Sequence, residues 1–144
     1  MKSNRQLPGN LTYHQPHTGL EGKFSMEFCL ASILVVRRAG LAEFTDEFVN
    51  RPDVQAAIAK IDYTCYSDEE AAANKYPLLT TFIEVVLKDG RRFSGRADYA
   101  RGSPPQMMTF DEVADKLRGG ADFAKWDKAK TEAIIAIVRD IENL

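Results

Sequence analysis

From Thr18 to Ala31 the chain reads TGLEGKFSMEFCLA, and this stretch predicts the centre of the fold. Ser25 is suited to cap a helix, because its hydroxyl can accept a hydrogen bond from a free backbone N–H group of the first turn. The helix body should run from Phe28 to Arg38. This segment is apolar on nearly all sides, which predicts a helix in the middle of the core. Gly40 is expected at the left-handed position that follows the helix.

The residues before this helix lack periodicity and contain several helix-breaking residues, namely Pro8, Gly9, Pro16, Gly19 and Gly22. They predict an extended lead-in arm over residues 1–22, with a short strand from Leu11 to His14. Residues 23–144 are then expected to form one domain.

The segment after the helix predicts several short elements. Thr45 should cap one turn of helix that ends near Asn50, and Pro52 should begin a helix that runs to Lys60. A strand is expected from Ile61 to Tyr66 because its apolar residues alternate. The acidic, alanine-rich segment from Ser67 to Tyr76 is expected to be a loop or a frayed turn.

A β-hairpin follows, and its register depends on the length of its loop. A two-residue turn at Asp89-Gly90 would place Val85 opposite Ser94. A three-residue loop, Lys88 to Gly90 with Gly90 left-handed, places Val85 opposite Phe93 instead. Because a slip of one residue exchanges the two faces of the strand, only one register can hold, and we predict the second. Its pairs are Leu87–Arg91, Val85–Phe93, Ile83–Gly95, Thr81–Ala97 and Leu79–Tyr99.

Two amphipathic helices complete the predicted fold. A capping box formed by Thr109 and Glu112 should open the first, and Gly119-Gly120 should end it. The second should run from Lys125 to Asn143 and bury Trp126, Ala129, Ala133, Ile134, Ile137, Val138 and Ile141. Few strands and several helices predict an α+β fold, a two-layer sandwich with a small antiparallel sheet packed against helices.

The composition narrows the class of function. A hydrophobic content of 44% and a charged content of 28% indicate a folded globular chain. The net charge of -2 and the lack of a basic stripe argue against nucleic acid as a partner. The longest apolar run, Phe28 to Val36, is too short to span a membrane, and no signal peptide is visible. Cys29 and Cys65 indicate buried thiols, so we expect a soluble, cytoplasmic protein without a membrane partner.

The opening stretch, together with GLAEFTD from Gly40 to Asp46 and NRPDVQ from Asn50 to Gln55, closely resembles the MmgE/PrpD family. The resemblance runs from about Leu11 to Leu144. The opening motif is specific, whereas later matches such as KDGR from Lys88 to Arg91 are weak. Whole members of this family, such as 2-methylcitrate dehydratase, have a helical domain followed by a smaller α+β domain. The resemblance therefore implies a C-terminal domain whose helical N-terminal domain is absent.

The resemblance also implies a chemistry. Family members use acid–base chemistry without a cofactor on the carbon next to a carboxylate, giving dehydration, decarboxylation or epimerisation of di- and tricarboxylic acids. The Asp, His and Lys residues that abstract the proton come mainly from earlier segments, so this chain is expected to be inactive alone. Its expected partners are a helical domain or subunit, a second copy and a small carboxylic acid. The alternatives are a non-enzymatic interaction module, and a stand-alone carboxylate-binding protein that uses Lys23 and Arg101.

Three residues are candidates for binding the substrate: Lys23, Ser25 and Arg101. Lys23 and Ser25 lie at a helix start, where free N–H groups and the helix dipole favour an anion. Lys23 could equally pair with Glu21 or face water. Arg101 opens the segment RGSPPQM, which resembles a family loop written G-x-P-x-N-P-M but departs from it at Gln106. A rigid connection is the simpler interpretation of this loop.

Other residues whose side chains could take part in a reaction are expected to have no catalytic or binding role. Phe28 occupies a position that is often tyrosine in the decarboxylase branch, and it has no proton to donate. His14 and His17 lack metal-ligand spacing, so no metal site is predicted. Nothing in the sequence supplies a partner to orient either ring. Glu84 and Asp98 are expected to be solvated on the polar face of the hairpin.

Overall fold

The chain forms two compact units in the computed structural model, which describes residues 1–143. The first unit contains residues 1–39 and 43–100, and the second contains residues 40–42 and the segment from Arg101 onward. Leu144, the last residue of the predicted domain, lies outside the described residues. Helices and a four-stranded sheet are both present, which confirms the α+β class.

The first unit combines the sheet with six short helices. Its strands are β1 (Lys2–Ser3), β2 (Thr64–Cys65), β3 (Thr81–Val86) and β4 (Arg92–Ala97). Its helices are α1 (Leu7–Asn10), α2 (Gly19–Gly22), α3 (Met26–Val36), α4 (Asp46–Val49), α5 (Pro52–Ile58) and α6 (Asp68–Asn74). A 3-10 turn, Leu41–Glu43, follows α3, and its first two residues belong to the second unit.

The second unit is built on a helical pair. It contains α7 (Phe110–Phe123) and α8 (Lys128–Arg139), with 3-10 turns at Pro104–Gln106 and Ile141–Asn143. Among residues 1–143, no helix has the length and apolar content that crossing a bilayer would require.

The sheet has the order β2-β1-β3-β4, so the N-terminal strand lies inside it. β1 runs parallel to β2 and antiparallel to β3, and the sheet is therefore mixed rather than antiparallel. The strand predicted from Leu11 to His14 is not formed. The arm instead enters the sheet at Lys2–Ser3, because the N–H groups of Thr64 and Tyr66 donate to the carbonyls of Met1 and Ser3.

Two predictions for the segment between α5 and the hairpin are wrong. The strand expected from Ile61 to Tyr66 is only the pair Thr64–Cys65, because its partner β1 has only two residues. The predicted loop after it contains α6. Ser67 caps this helix by accepting a hydrogen bond from the N–H of Glu70, and three acidic residues in the first turn complement the helix dipole.

The hairpin register is the predicted one. Val85 pairs with Phe93, Ile83 with Gly95 and Thr81 with Ala97. The Leu87 N–H donates to the Arg91 carbonyl, and Gly90 takes a φ of 86°, which closes the three-residue loop. The outermost predicted pair, Leu79 with Tyr99, lies beyond the strand ends.

Helix starts were predicted more accurately than helix ends. Ser25, Thr45 and Thr109 cap their helices as expected, and Thr109 and Glu112 form the capping box. The left-handed residue after α3 is Arg37 rather than Gly40, because the neighbouring Arg38 binds the buried Glu43 carboxylate at 2.6 Å and turns the chain early.

The two C-terminal helices also differ from their predicted bounds. α7 continues through Gly119 and Gly120 to Phe123, and Lys125 takes the left-handed conformation. The N–H of Trp126 then donates to the Ala121 carbonyl, which is the hydrogen bond of a Schellman motif. α8 begins later than predicted because Asp127 accepts a hydrogen bond from the N–H of Lys130.

The core of the first unit forms around α3. Phe28 is fully buried and meets the rings of Phe44 and Phe48 at centroid distances of 5.4 and 6.1 Å. The buried cluster consists of Phe28, Ala31, Val49, Val54, Ala57 and Ile58. The prediction that this helix is central is confirmed, although Ile33 and Leu34 on its other side are exposed.

The second unit exposes the apolar residues that were predicted to be buried. In α8 the buried side chains are Thr131 and Ile135, whereas Ile137 is 55% exposed. Trp126, Ile134, Val138 and Ile141 are exposed as well, and α7 exposes Phe110, Val113 and Leu117. The packing of α7 against α8 therefore covers only part of the apolar surface of each helix.

Gly19 allows the start of α2 to lie in direct contact with the backbone of Phe44. A Cβ atom at this position would lie 2.3 Å from the carbonyl oxygen of Phe44, a distance that real contacts do not reach. The Gly19 N–H donates to the Asp46 carboxylate at 2.7 Å, which fixes α2 against the start of α4. Gly22 is also tight, since its Cβ would lie 3.0 Å from the Phe28 ring.

We expect Gly19→Ala to lower the free energy of unfolding by about 2 kcal/mol or more, because the added methyl group would push Phe44 and α4 away. Gly9→Ala is the matched control, since a Cβ at Gly9 meets nothing within 4 Å. Chemical denaturation of both variants checks this. Equal stabilities for the two variants would contradict the role given to the close approach.

Candidate functional site

The imidazole of His14 is bound by the carboxylate of Glu27. The His14 Nδ1 atom lies 2.7 Å from Glu27 Oε1. A carboxylate oxygen accepts hydrogen bonds, so the contact fits the tautomer in which Nδ1 carries the proton and Nε2 is bare. The prediction that nothing orients His14 is therefore wrong, because Glu27 does so.

Glu27 is a buried carboxylate at the start of α3. Its side chain is 6% exposed, whereas that of His14 is 62% exposed. Its second oxygen, Oε2, is buried and has no hydrogen-bond partner among the described residues. Burying an acceptor without a partner costs free energy, so the bond to His14 is the main compensation for this carboxylate.

Tyr63 contacts the His14 ring, and its hydroxyl is in turn bound by Ser3. The rings of Tyr63 and His14 meet edge to face with centroids 6.5 Å apart. The Tyr63 hydroxyl lies 2.8 Å from Ser3 Oγ, at the central strand of the sheet. Burial raises the pKa of Tyr63, and the nearby Cys65 and Glu27 raise it further, while the hydrogen bond with Ser3 acts in the opposite direction. Tyr63 is thus a neutral phenol at ordinary pH.

Two of the predicted site residues lie at the start of α3 and differ in environment. Ser25 is fully buried, and its Oγ accepts the hydrogen bond of the Phe28 N–H at 3.1 Å. Lys23 is exposed, and its ammonium group forms no ion pair with any residue in 1–143. Glu21, the alternative partner of Lys23, instead accepts a hydrogen bond from the His17 N–H. Lys23 therefore has its charge available to an anion, whereas Ser25 serves the helix.

A backbone hydrogen bond connects the lead-in segment to this helix start. The Tyr13 N–H donates to the Phe24 carbonyl at 3.1 Å. His14 and Lys23 are the sequence neighbours of these two residues, so an acid–base group and a free cation lie near the same helix start.

Arg101, the third predicted residue, belongs to the second unit. Its guanidinium donates to Glu112 Oε1 at 2.8 Å. The Thr109 N–H and then Arg101 lower the pKa of Glu112, so this carboxylate is held in its charged form. The loop itself is closed by the Gly102 N–H, which donates to the Gln106 carbonyl at 2.8 Å, and Gly102 has a φ of 89°. This geometry fits the simpler interpretation of a rigid connection.

The two carboxylates of the hairpin are ion-paired rather than free. Glu84 binds Arg92 at 2.6 Å, and Asp98 binds Arg96 at 2.7 Å. Arg96 and then the hydroxyl of Thr80 lower the pKa of Asp98. Glu84 is solvated as expected, with a side chain that is 55% exposed, whereas Asp98 is only partly exposed and is also bound by Thr80. They stabilise the hairpin and do not form an acid–base pair.

Other reactive groups in the described part of the chain lack a site. Burial raises the pKa of the Cys29 thiol, which makes it a poor nucleophile. Cys65 is exposed rather than buried as predicted. A hollow of about 240 Å³ lies against α7 and α8, but its Arg118 is already bound by Glu132 and Asp115. Within residues 1–143, no group of three or more His, Cys, Asp or Glu side chains is placed to hold a metal ion.

Comparison with known proteins gives a consistent assignment. The sequence model of the MmgE/PrpD C-terminal domain matches residues 5–143. Cis-aconitate decarboxylase of Homo sapiens is 26% identical over 125 residues, which cover 86% of this chain and 25% of that protein. Cis-aconitate decarboxylase of Mus musculus is 23% identical over 129 residues, which cover 90% of this chain and 26% of that protein. The chain thus spans about a quarter of the length of these curated relatives.

Substitution of Lys23 and substitution of Ser25 should have different effects on the free energy of unfolding. Lys23→Gln should change the free energy of unfolding by less than about 0.5 kcal/mol, because the side chain is exposed and unpaired. Ser25→Ala should lower it by about 1 kcal/mol, because the N–H of Phe28 loses its buried acceptor. Thermal and urea denaturation measure both. A large loss for Lys23→Gln would show that its charge is used within the fold and is not free for a ligand.

Proposed function

This chain belongs to the MmgE/PrpD family, and we propose that it forms the C-terminal domain of a lyase or isomerase that acts on di- or tricarboxylic acids. The proposed reaction is a dehydration like that of 2-methylcitrate dehydratase, carried out in the cytoplasm by acid–base chemistry without a cofactor. In this proposal residues 23–144 are the domain, and residues 1–22 lead into it from a helical domain.

The observation that carries the proposal is the exposed apolar surface of α7 and α8. Ile134, Ile137 and Val138 are 37%, 55% and 48% exposed and share one face of α8, and Ile141 in the 3-10 turn that follows is 60% exposed. A contiguous apolar face of this kind is typical of a surface that another protein or domain covers. The relatives contain about three times as much additional chain, which is ample to supply the covering domain.

The start of α3 supplies the proposed contact with substrate. Lys23 has a free positive charge next to the N-terminus of a helix of 11 residues, which is a favourable place for a carboxylate. Its role would be to bind and orient the acid. The main acid–base residues would come from the helical domain, and for this reason we expect no turnover by the chain alone.

Phe28 favours dehydration over decarboxylation within this proposal. Its side chain is fully buried in the core and carries no hydroxyl group. The resemblance places a tyrosine at this position in many decarboxylases. A reaction that depended on a proton from that tyrosine could not proceed in the same way here.

The same apolar surface supports one alternative, a non-enzymatic module that self-associates or binds a partner through this surface. A stand-alone carboxylate-binding protein that uses Lys23 and Arg101 has less support, because the Arg101 guanidinium is already bound by Glu112.

The decisive experiment is light scattering of the pure chain, with and without a co-expressed helical N-terminal domain of this family. A tight complex that dehydrates a 2-methylcitrate-like acid is expected. A monomer or homodimer that ignores the helical domain would support the interaction module instead. Dehydratase activity of the chain alone would contradict the proposal that the main acid–base residues come from the helical domain.

A charged substitution on the exposed apolar face of α8 should weaken binding of the helical domain without destabilising the chain itself. Ile137→Glu should leave the free energy of unfolding of the isolated chain nearly unchanged, because this side chain is exposed, but should weaken binding of the helical domain at least about tenfold. Ala136→Glu is the matched control, since Ala136 is also exposed on α8 and lies on the opposite side of the helix. Calorimetric titration measures both, and equal binding by the two variants would contradict the assignment of this face.

A further inference from the structure

We propose that His14 and Glu27 form an acid–base dyad, in which Nε2 of His14 exchanges a proton with the carbon next to a carboxylate of the substrate. This inference rests on the proposed function and adds a catalytic residue that this chain itself contributes. Glu27 is a positioning residue in the dyad, because it acts through the imidazole.

The geometry is that of an oriented base. Glu27 is buried and binds Nδ1 of His14 at 2.7 Å, so the tautomer with a bare Nε2 is selected. The opposite side of the ring is open, since the His14 side chain is 62% exposed and Nε2 has no hydrogen-bond partner among residues 1–143. A buried carboxylate that holds Nδ1–H while Nε2 faces the reactant is how a histidine is prepared for proton transfer.

The unpartnered oxygen of Glu27 strengthens this interpretation. A carboxylate with a purely structural role would normally use both oxygens, because leaving one buried and unpaired is unfavourable. In the described part of the chain Glu27 has His14 as its hydrogen-bond partner. The charge of Glu27 is therefore directed at the imidazole, where it stabilises the imidazolium that forms when Nε2 takes up a proton.

Lys23 supplies the second requirement, a fixed position for the substrate. The hydrogen bond between the Tyr13 N–H and the Phe24 carbonyl brings the segments that carry His14 and Lys23 together at the start of α3. Lys23 would bind one carboxylate of the acid, while Nε2 of His14 reaches the adjacent carbon. The C–H bond breaks, its proton forms the second N–H bond of the imidazolium, and its electron pair is delocalised onto the carboxylate as an enediolate. In a dehydration the enediolate electron pair then forms the carbon–carbon double bond, the hydroxyl group of the neighbouring carbon leaves as water with a proton from a group of the helical domain, and the imidazolium returns its proton to solvent.

His17 provides a matched control within the same segment. It is exposed, and its imidazole makes no hydrogen bond to any residue in 1–143, although its backbone does. His14→Gln and His17→Gln therefore each remove an exposed imidazole, and of these two imidazoles only that of His14 is bound by a buried carboxylate.

The first measurement is nitrogen NMR of the two histidines in the chain. We expect His14 in the Nδ1–H tautomer and His17 in an ordinary mixture. In Glu27→Gln the carboxamide can donate to Nδ1, which should shift His14 towards the Nε2–H tautomer while the fold is kept. If His14 shows the same tautomer mixture as His17 in the unmodified chain, the dyad does not exist.

The second measurement is turnover by the complex with the helical domain, on a 2-methylcitrate-like acid. His14→Gln should lower kcat at least about 100-fold with little change in KM, and His17→Gln should leave kcat within about twofold. Glu27→Gln should also lower kcat, in parallel with its tautomer shift. In His14→Gln the carboxamide N–H can still donate to Glu27, so binding of the helical domain and the melting temperature should stay close to those of the unmodified chain, which separates catalysis from folding.

The outcomes distinguish this inference from the proposed function. An active complex in which His14→Gln retains full kcat would overturn the dyad and leave the proposed function intact. A complex that forms but shows no activity in its unmodified form would overturn both.

Discussion

The absence of a side chain at Gly19 is the constraint on which the centre of the first unit depends. Because the backbone of α2 touches the carbonyl of Phe44, the Gly19 N–H reaches the Asp46 carboxylate and α2 is fixed against α4. Gly22 then lies against the Phe28 ring, which packs α2 closely against the start of α3. Core packing at native density transmits such a constraint to its neighbours. The position of Lys23, Ser25 and Glu27 follows from contacts that only glycine permits.

Local signals in the sequence predicted several of the helix starts that a single capping side chain decides, although the cap at Ser67 was missed. The caps at Ser25, Thr45 and Thr109 each depend on one side chain and the next three residues, and all were predicted. The ends of α3 and α7 were not, because the non-glycine residues Arg37 and Lys125 take the left-handed conformation. Such a residue costs about 1 kcal/mol or more, which tertiary contacts such as the Arg38–Glu43 ion pair can offset. These contacts join residues whose proximity the sequence does not reveal.

The candidate site likewise contains residues that local signals could place and residues that they could not. Lys23 and Ser25 could be placed at a helix start because that start is encoded locally. The bond between His14 and Glu27 could not be predicted, since it joins residues 13 positions apart across a lead-in whose structure has no periodic pattern. One signal was present in the sequence: Glu27 is an acidic residue in the first turn of an apolar helix that was predicted to be buried. A carboxylate in such a place requires a donor, and the nearby histidines were the available candidates.

The apolar faces of α3 and α8 show why a correct pattern gave a wrong burial prediction. Each helix has apolar residues on more than one side, and such a helix needs more than one neighbour to bury them. α8 turns Ile135 inward and leaves Ile134, Ile137 and Val138 exposed, while α3 buries Phe28 and Ala31 and exposes Ile33 and Leu34. The pattern therefore describes the apolar surface of each helix, and the described residues bury only part of that surface. Burying a large aliphatic side chain contributes about 1.5–3 kcal/mol, so these few residues are sufficient to stabilise contact with a further domain.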